Sequence, residues 1–216
     1  MNRKRSVSVA IAVLVLAASA QGASVKGSRF EWTTQSAEAK KLLTEVQARI
    51  ESFQAGPGLI ELARKVVAAD PSFAMGEYYL SAVAPPDEAQ THLDKSVELS
   101  KNASDGERRF IEAMVKSRAN QGANFKDGIA PLEELSTDYP SERLIYMILG
   151  QLYQGANDSA KARAAFEKAL EVGPTSLRAR SFIANDDLLR EEYAQSRATF
   201  ESIEKELPQG SAPFVI

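Results

Sequence analysis

The sequence predicts an all-α chain, an α-solenoid of about five stacked antiparallel helix pairs. Three observations lead there. Pro140, Pro174 and Pro208 are spaced 34 residues apart, each ending an apolar-periodic segment, where proline stops one helix or opens the next. Large apolar residues keep the same interval: Leu132, Phe166 and Phe200; Leu135, Ala169 and Ile203; Val115, Leu149 and Ile183. No stretch alternates convincingly with period two, so no sheet is expected.

The N-terminus is a separate object. Arg3, Lys4 and Arg5 precede an almost wholly apolar run from Ser6 to Ala17, and Ala18-Ser19-Ala20 supplies small residues at signal-peptidase spacing. Residues 1–20 therefore read as a secretory signal peptide, with cleavage after Gly22 a near alternative. The apolar run is shorter than the roughly 20 residues a bilayer span needs. An uncleaved membrane anchor is the rival reading. The chain is expected to be exported, periplasmic or secreted.

Removing residues 1–20 takes away three of 26 basic residues and no acidic one, leaving 23 against 29 and a formal charge of −6. Such a surface repels phosphate backbones, so nucleic acid is not an expected ligand, and a neutral or basic partner surface fits better. The chain has no Cys, which excludes disulfides, thiol catalysis, thiolate metal sites and lipid attachment through a cleavage-site Cys. With 44% apolar residues among 216, packing alone must hold the fold together.

Residues 21–36 are Gly-, Ser- and Thr-rich and read as a flexible lead-in. Phe30 and Trp32 lie there, either capping the first helix pair or exposed as an anchor for a partner. The repeat region spans residues 37–210. Its first pair, Lys40 to Ala69, breaks at Gly56-Pro57-Gly58, with Leu42, Leu43, Val46 and Ile50 lining one helix and Leu59, Leu62, Ala63, Val66 and Val67 the next. Its second, Ala74 to Ser100, breaks at Pro85-Pro86. The third opens on a capping box, Ser104-x-x-Glu107, before Phe110-Ile111.

The fourth unit is the clearest. Tyr146, Leu149, Gly150 and Tyr153 recur at i, i+3, i+4 and i+7, one helix face. Gly150 costs about 1 kcal/mol against Ala in a helix interior, which a close approach by the neighbouring helix would justify. Gly155, Asn157 and Asp158 make a turn, with Asp158 as N-cap, and Ala162, Phe166, Ala169 and Leu170 form the second stripe. The fifth unit, Leu177 to Gly210, carries Arg180 and Asp187 where the pattern wants aromatics, as suits a water-facing terminal unit.

Arg143 to Ser176 resembles the tetratricopeptide repeat (TPR), whose unit is 34 residues long. Tyr146, Leu149-Gly150, Tyr153, Ala162, Phe166, Ala169 and Pro174 fall at the family's pattern positions. The third unit departs from that pattern at Glu112, Lys116 and Gly128. The resemblance implies a right-handed superhelix whose first helices line a concave groove that holds a peptide or partner helix. It maps the groove onto Phe110, Ala113, Ser117, Asn120 and Gln121, then Leu144, Met147, Gln151 and Gln154, then Arg178, Ser181 and Asn185. Amides beside Phe, Leu and Met suit peptide recognition. The plainer reading makes these solvent-side helix residues. The family's Lys/Asn clamp for acidic C-terminal tails is not reproduced.

No catalytic constellation is legible. His92 is the single histidine and would need a converging nucleophile and an orienting acid. Zinc sites built from several His or Cys ligands are excluded. The pairs Glu133-Glu134, Asp186-Asp187 and Glu191-Glu192 point about 100° apart on a helix and read as solvated faces. Phosphate-cradling glycine motifs are missing, so no cofactor is expected. Asn102-Ala103-Ser104 and Asn157-Asp158-Ser159 match the glycosylation sequon, which matters in a eukaryotic secretory host.

Two functions follow: a non-catalytic binding scaffold or assembly factor of the cell envelope, and, as the alternative, a carboxylate-dependent hydrolase using acidic groove residues. The tail, residues 211–216, has no polar capping helix, which points to a fold-back or a homo-oligomer or partner contact through the last repeat.

Overall fold

The computed structural model describes residues 29–118, 125–209 and 211. Among these residues lie ten helices and no strand. The pairs are α1 (Ala37–Glu51) with α2 (Pro57–Ala69), α3 (Ala74–Val83) with α4 (Pro86–Ser100), and α5 (Asp105–Arg118) with α6 (Phe125–Asp138). Then come α7 (Arg143–Gly155) with α8 (Ser159–Val172) and α9 (Leu177–Leu189) with α10 (Tyr193–Glu206). Each pair packs on the next through α2–α3, α4–α5, α6–α7 and α8–α9. The fold is the expected α-solenoid. The signal segment, residues 1–20, and tail residues 212–216 lie outside the described residues.

Local chemistry sets the boundaries. Ser36 caps α1 by accepting from the Ala39 N–H, and Ser176 caps α9 through Ala179. Asp158 accepts from the Lys161 N–H at 3.1 Å, the cap the sequence predicts. Gly56 takes φ +97°, a conformation open to glycine, and Pro57 then starts α2 with its φ already helical.

Gly150 shows why a helix interior tolerates glycine. A Cβ there would sit 2.4 Å from the buried Phe166 ring. That ring stacks on Phe182 of the next unit at 4.4 Å between centroids, so it has little room to yield. Gly128 has the same cause, since its Cβ would meet Ser117 Cβ at 2.6 Å where α5 and α6 cross. What the repeat pattern registers as a departure is a closer helix crossing.

The fifth unit corrects an expectation. Asp186 and Asp187 are not a solvated face: Asp187 is 1% exposed and Asp186 8%. The Arg163 guanidinium of α8 lies 2.6 Å from Asp187 and 2.8 Å from Asp186, and the Gln195 amide donates to Asp187 at 3.0 Å. Those hydrogen bonds hold Arg163 well above its ordinary pKa. An ion pair thus joins units four and five where an aromatic contact was expected. Glu133 is likewise engaged, accepting from the Tyr153 hydroxyl.

Gly150→Ala tests the close approach. Overpacking costs about 1–3 kcal/mol, against roughly 1 kcal/mol gained in helix propensity. We expect a net destabilisation, read as a lower denaturant midpoint at constant m-value; a more stable variant would contradict the Phe166 contact.

Candidate functional site

The array closes on itself. After α1 the chain turns through Phe53, whose φ of 57° is the left-handed region that side chains avoid. Phe53 packs against the core of the fifth unit, formed by Leu177, Ala184, Phe200 and Ile203. Around it, Glu51 pairs with Arg143 of α7 at 2.6 Å and accepts from the Ser176 hydroxyl at 2.7 Å. The Arg178 guanidinium lies 5.7 Å from the Phe53 ring centre. The first unit therefore docks on the fourth and fifth.

A strap crosses the inside of this curl. Residues 29–36, expected to be a flexible lead-in, are tied to three successive units, because their donors meet acceptors at helix N-termini. The Phe30 N–H donates to Glu142, which also accepts from the Leu144 N–H at the start of α7. The Thr33 N–H and hydroxyl donate to Glu107 at 2.9 and 2.6 Å, and the Thr33 hydroxyl accepts from the Ser104 N–H at 2.7 Å. Thr34 donates to Asp70, just before α3, at 2.5 Å. The predicted capping box is thereby modified. Ser104 accepts from the Glu107 N–H, but Thr33 stands where the Glu107 carboxylate would return to Ser104.

Phe30 neither caps the first pair nor stands exposed. It is 6% exposed, with its ring centre 5.9 Å from Phe110 and 5.1 Å from Tyr139. A Cβ on Gly106 would sit 2.4 Å from it, so that glycine makes its seat. Trp32 is half-buried, edge-on to Phe73 at 6.1 Å.

Closure and strap border a half-open cavity of about 870 Å³. First helices supply its walls: Gln47 and Glu51 from α1, Tyr78 and Tyr79 from α3, Met114 and Arg118 from α5. Leu144, Met147, Ile148 and Gln151 of α7 and Arg178 of α9 complete them, and Arg29, Phe30 and Trp32 of the strap line it as well. The Gln47 amide donates to the Tyr79 hydroxyl at 2.9 Å. Burial pushes the Tyr78 hydroxyl up to about 12, so it stays a neutral donor at physiological pH.

Of the groove positions implied by the resemblance, Leu144, Met147, Gln151 and Arg178 line this cavity. Phe110 and Ala113 do not; both are fully buried, Phe110 against Phe30 and Tyr78. Ser117 is buried in the α5–α6 crossing, and its hydroxyl donates to the Met114 carbonyl. Ser181 is buried and donates to the Arg178 carbonyl. Gln154 and Asn185 are exposed outside the lining, because the cavity reaches only to Gln151 along α7 and to Arg178 along α9. Asn120 and Gln121 lie outside the described residues. Repeat register missed Tyr78, Tyr79, Met114 and Arg118; the aromatic pair Tyr78-Tyr79 in a first helix was the available signal.

His92 does meet an orienting acid. Its Nδ1 lies 2.7 Å from the buried Glu77, whose other oxygen is 2.5 Å from Lys95 Nζ. One turn along α4, Ser96 is fully buried and its hydroxyl makes no hydrogen bond, to His92 or to anything else. Among the described residues no group of three or more His, Asp or Glu is placed to hold a metal ion, and no helix is long and apolar enough to cross a membrane.

No family model matches the chain, and no curated protein matches it. Solved structures do. The thermophilic TPR protein TTC0263 of Thermus thermophilus aligns with a TM-score of 0.53 at 12% identity, over 80% of this chain and 91% of that one. A human IFIT1 dimer with PPP-AAAA aligns with a TM-score of 0.55 at 13% identity, over 77% of this chain and 41% of that one. The chain thus spans about two fifths of IFIT1's length. Its fold is that of a tetratricopeptide-repeat solenoid.

Two outcomes check this geometry. Phe53→Ala removes the ring that docks the first unit on the fifth, and the radius of gyration from X-ray scattering should rise. Glu107 has a pKa raised by burial, which the two Thr33 bonds partly offset. The folded chain therefore holds that proton more tightly than the unfolded chain. Stability falls as pH rises from the unfolded carboxylate value, about 4.3, through the higher folded value. Thr33→Ala deletes one of the offsetting bonds. It should cost about 1–3 kcal/mol at pH 7 and extend the fall to higher pH, read from denaturant midpoints between pH 4 and 8.

Proposed function

We propose that this chain is a non-catalytic scaffold or assembly factor that binds a protein or peptide segment in its inner cavity. The cavity carries the reading: about 870 Å³, walls of mixed apolar and polar character, and a few convergent amides and arginines, the composition of a recognition site. Gln47 and Gln151 offer both donors and acceptors to an extended backbone. Tyr78, Met114, Met147 and Ile148 offer an anchor pocket, and methionines adapt to irregular shapes. No cofactor is needed.

The basic start, apolar run and Ala18-Ser19-Ala20 support export, and so a place in the cell envelope or outside it. The hydrolase alternative has less support. Glu77 and His92 form a base and its orienter, but the nearest hydroxyl on that helix face, Ser96, is buried and unengaged. Glu51 and Glu142, the cavity carboxylates, already accept bonds from protein donors. Leu188, Leu189 and Tyr193 are 45%, 81% and 60% exposed at the α9–α10 turn, which supports self-association through the last repeat.

Photo-crosslinking in the native host tests the reading. A crosslinker at Leu144, inside the cavity, should trap a discrete partner; one at Gln154, outside it, should not. Gln151→Trp, which fills the cavity, should abolish the Leu144 adduct. Equal adducts at both positions, or an adduct indifferent to Gln151→Trp, would rule the cavity out.

A further inference from the structure

The cavity's charge is opposite to that of the chain. The whole sequence has a formal charge of −3. The cavity is lined by four arginines, Arg29, Arg118, Arg143 and Arg178, and two carboxylates, Glu51 and Glu142. Both carboxylates are engaged. Glu51 pairs with Arg143 and accepts from Ser176. Glu142 accepts from the Phe30 and Leu144 N–H groups, and burial pushes its pKa up despite the nearby Arg29 and Arg143.

Arg29 lies in the field of Glu142 without pairing with it, while Arg118 and Arg178 stand over aromatic rings. Among the described residues neither has a carboxylate within salt-bridge distance. The Arg118 guanidinium stands 6.0 Å from the Tyr78 ring centre. Arg178 sits between Phe53 at 5.7 Å and Phe182 at 5.8 Å, half-buried. Burial depresses the Arg178 pKa, which the Glu51 charge partly restores. Aromatic faces steady a guanidinium from above, but its N–H fork lies in the ring plane and still wants acceptors. Arg178, half-buried, carries a desolvation cost that the Glu51 charge only partly offsets, whereas Arg118 is exposed and presents its donors to the cavity through water.

We propose that the cavity selects an acidic peptide segment, with its carboxylates on Arg118 and Arg178 and an apolar or aromatic side chain between them. This rests on the peptide-binding reading above. It reverses, for the site itself, the neutral or basic partner that net charge suggests. A nucleic acid is the poorer occupant. Arg118 and Arg178, each over an aromatic ring in the cavity wall, match two carboxylates, whereas a polyphosphate would also face Glu51 and Glu142 in the same walls. The amides of Gln47 and Gln151 match a peptide backbone, and Met114, Met147 and Ile148 match a side chain.

A random dodecapeptide display library selected on the intact chain tests this. Enriched peptides should combine Asp or Glu with Leu, Phe or Trp. The best of them, amidated to remove its terminal carboxylate, should weaken about tenfold when its acids become amides, and again in Arg118→Gln or Arg178→Gln. Its affinity should also fall with added salt. Arg178 braces Phe53, so Arg178→Lys, which keeps the charge, should restore most of the binding, while Arg118→Gln removes an exposed side chain from above the Tyr78 ring.

Enriched peptides without acidic residues would overturn the selectivity and leave peptide binding intact. So would an amide-for-acid peptide that binds equally well. A 5′-triphosphorylated tetra-adenylate that binds tighter than the best peptide and displaces it would overturn the choice of ligand. No enrichment over the cavity-filled Gln151→Trp chain would sink the peptide-binding reading itself.

Discussion

The docking of Phe53 into the fifth unit is the contact on which the rest depends. A solenoid of helix pairs has contacts only between neighbours and leaves its inner face open. Here the α1–α2 turn reaches across to α7 and α9, and the inner face becomes a deep, half-open cavity. The turn is bent against its own preference. A phenylalanine at φ 57° costs roughly 1–3 kcal/mol. Burial of the ring and the Glu51 contacts with Arg143 and Ser176 offset that strain, so the geometry persists only while the ends of the array touch.

The strap is the second long-range constraint, and its chemistry follows from helix ends. The first N–H groups of any helix need acceptors, and its dipole favours negative charge nearby. Asp70, Glu107 and Glu142 stand before or within the first turns of α3, α5 and α7, and Glu142 accepts directly from the Leu144 N–H. Each has oxygen lone pairs to spare, and the strap supplies the donors. These carboxylates at helix starts thus hold residues 30–34 across three units, Glu142 while also capping α7. Burial alone makes Glu107 and Glu142 costly to ionise; the bonds from the strap lower that cost.

Most of the fold was legible because its physics is local. The prolines, the Gly150 seat for Phe166, the Asp158 cap and the Gly56-Pro57 break all act within one or two repeat lengths, where periodicity can register them. The site was only partly legible. Leu144, Met147, Gln151 and Arg178 fall on the cavity because repeat register carries over along α7 and α9. Phe110, Ser117, Gln154, Ser181 and Asn185 do not, because register assumes an evenly open groove. Strap and closure bury some of those positions and end the cavity short of others. The contacts responsible join residues 74, 112 and 125 positions apart, such as Thr33 with Glu107, Phe30 with Glu142 and Glu51 with Ser176. No pattern within a single unit encodes them. Asp187 was misjudged for a related reason, since its partner Arg163 lies in the previous unit.

These contacts also change how the chain holds together. In an open array, stability is nearly a sum of units and neighbour interfaces, and the ends fray first. Here the two end units, the first and the fifth, are tied to each other, and the first also to the fourth, while the strap spans units two to four. Loss of either end unit would release Phe53, and with it the support for Arg178 and the mouth of the cavity. The binding surface is therefore a property of the closed chain and not of any repeat within it. A fragment that keeps the well-formed fourth unit intact would keep its helices and lose the cavity.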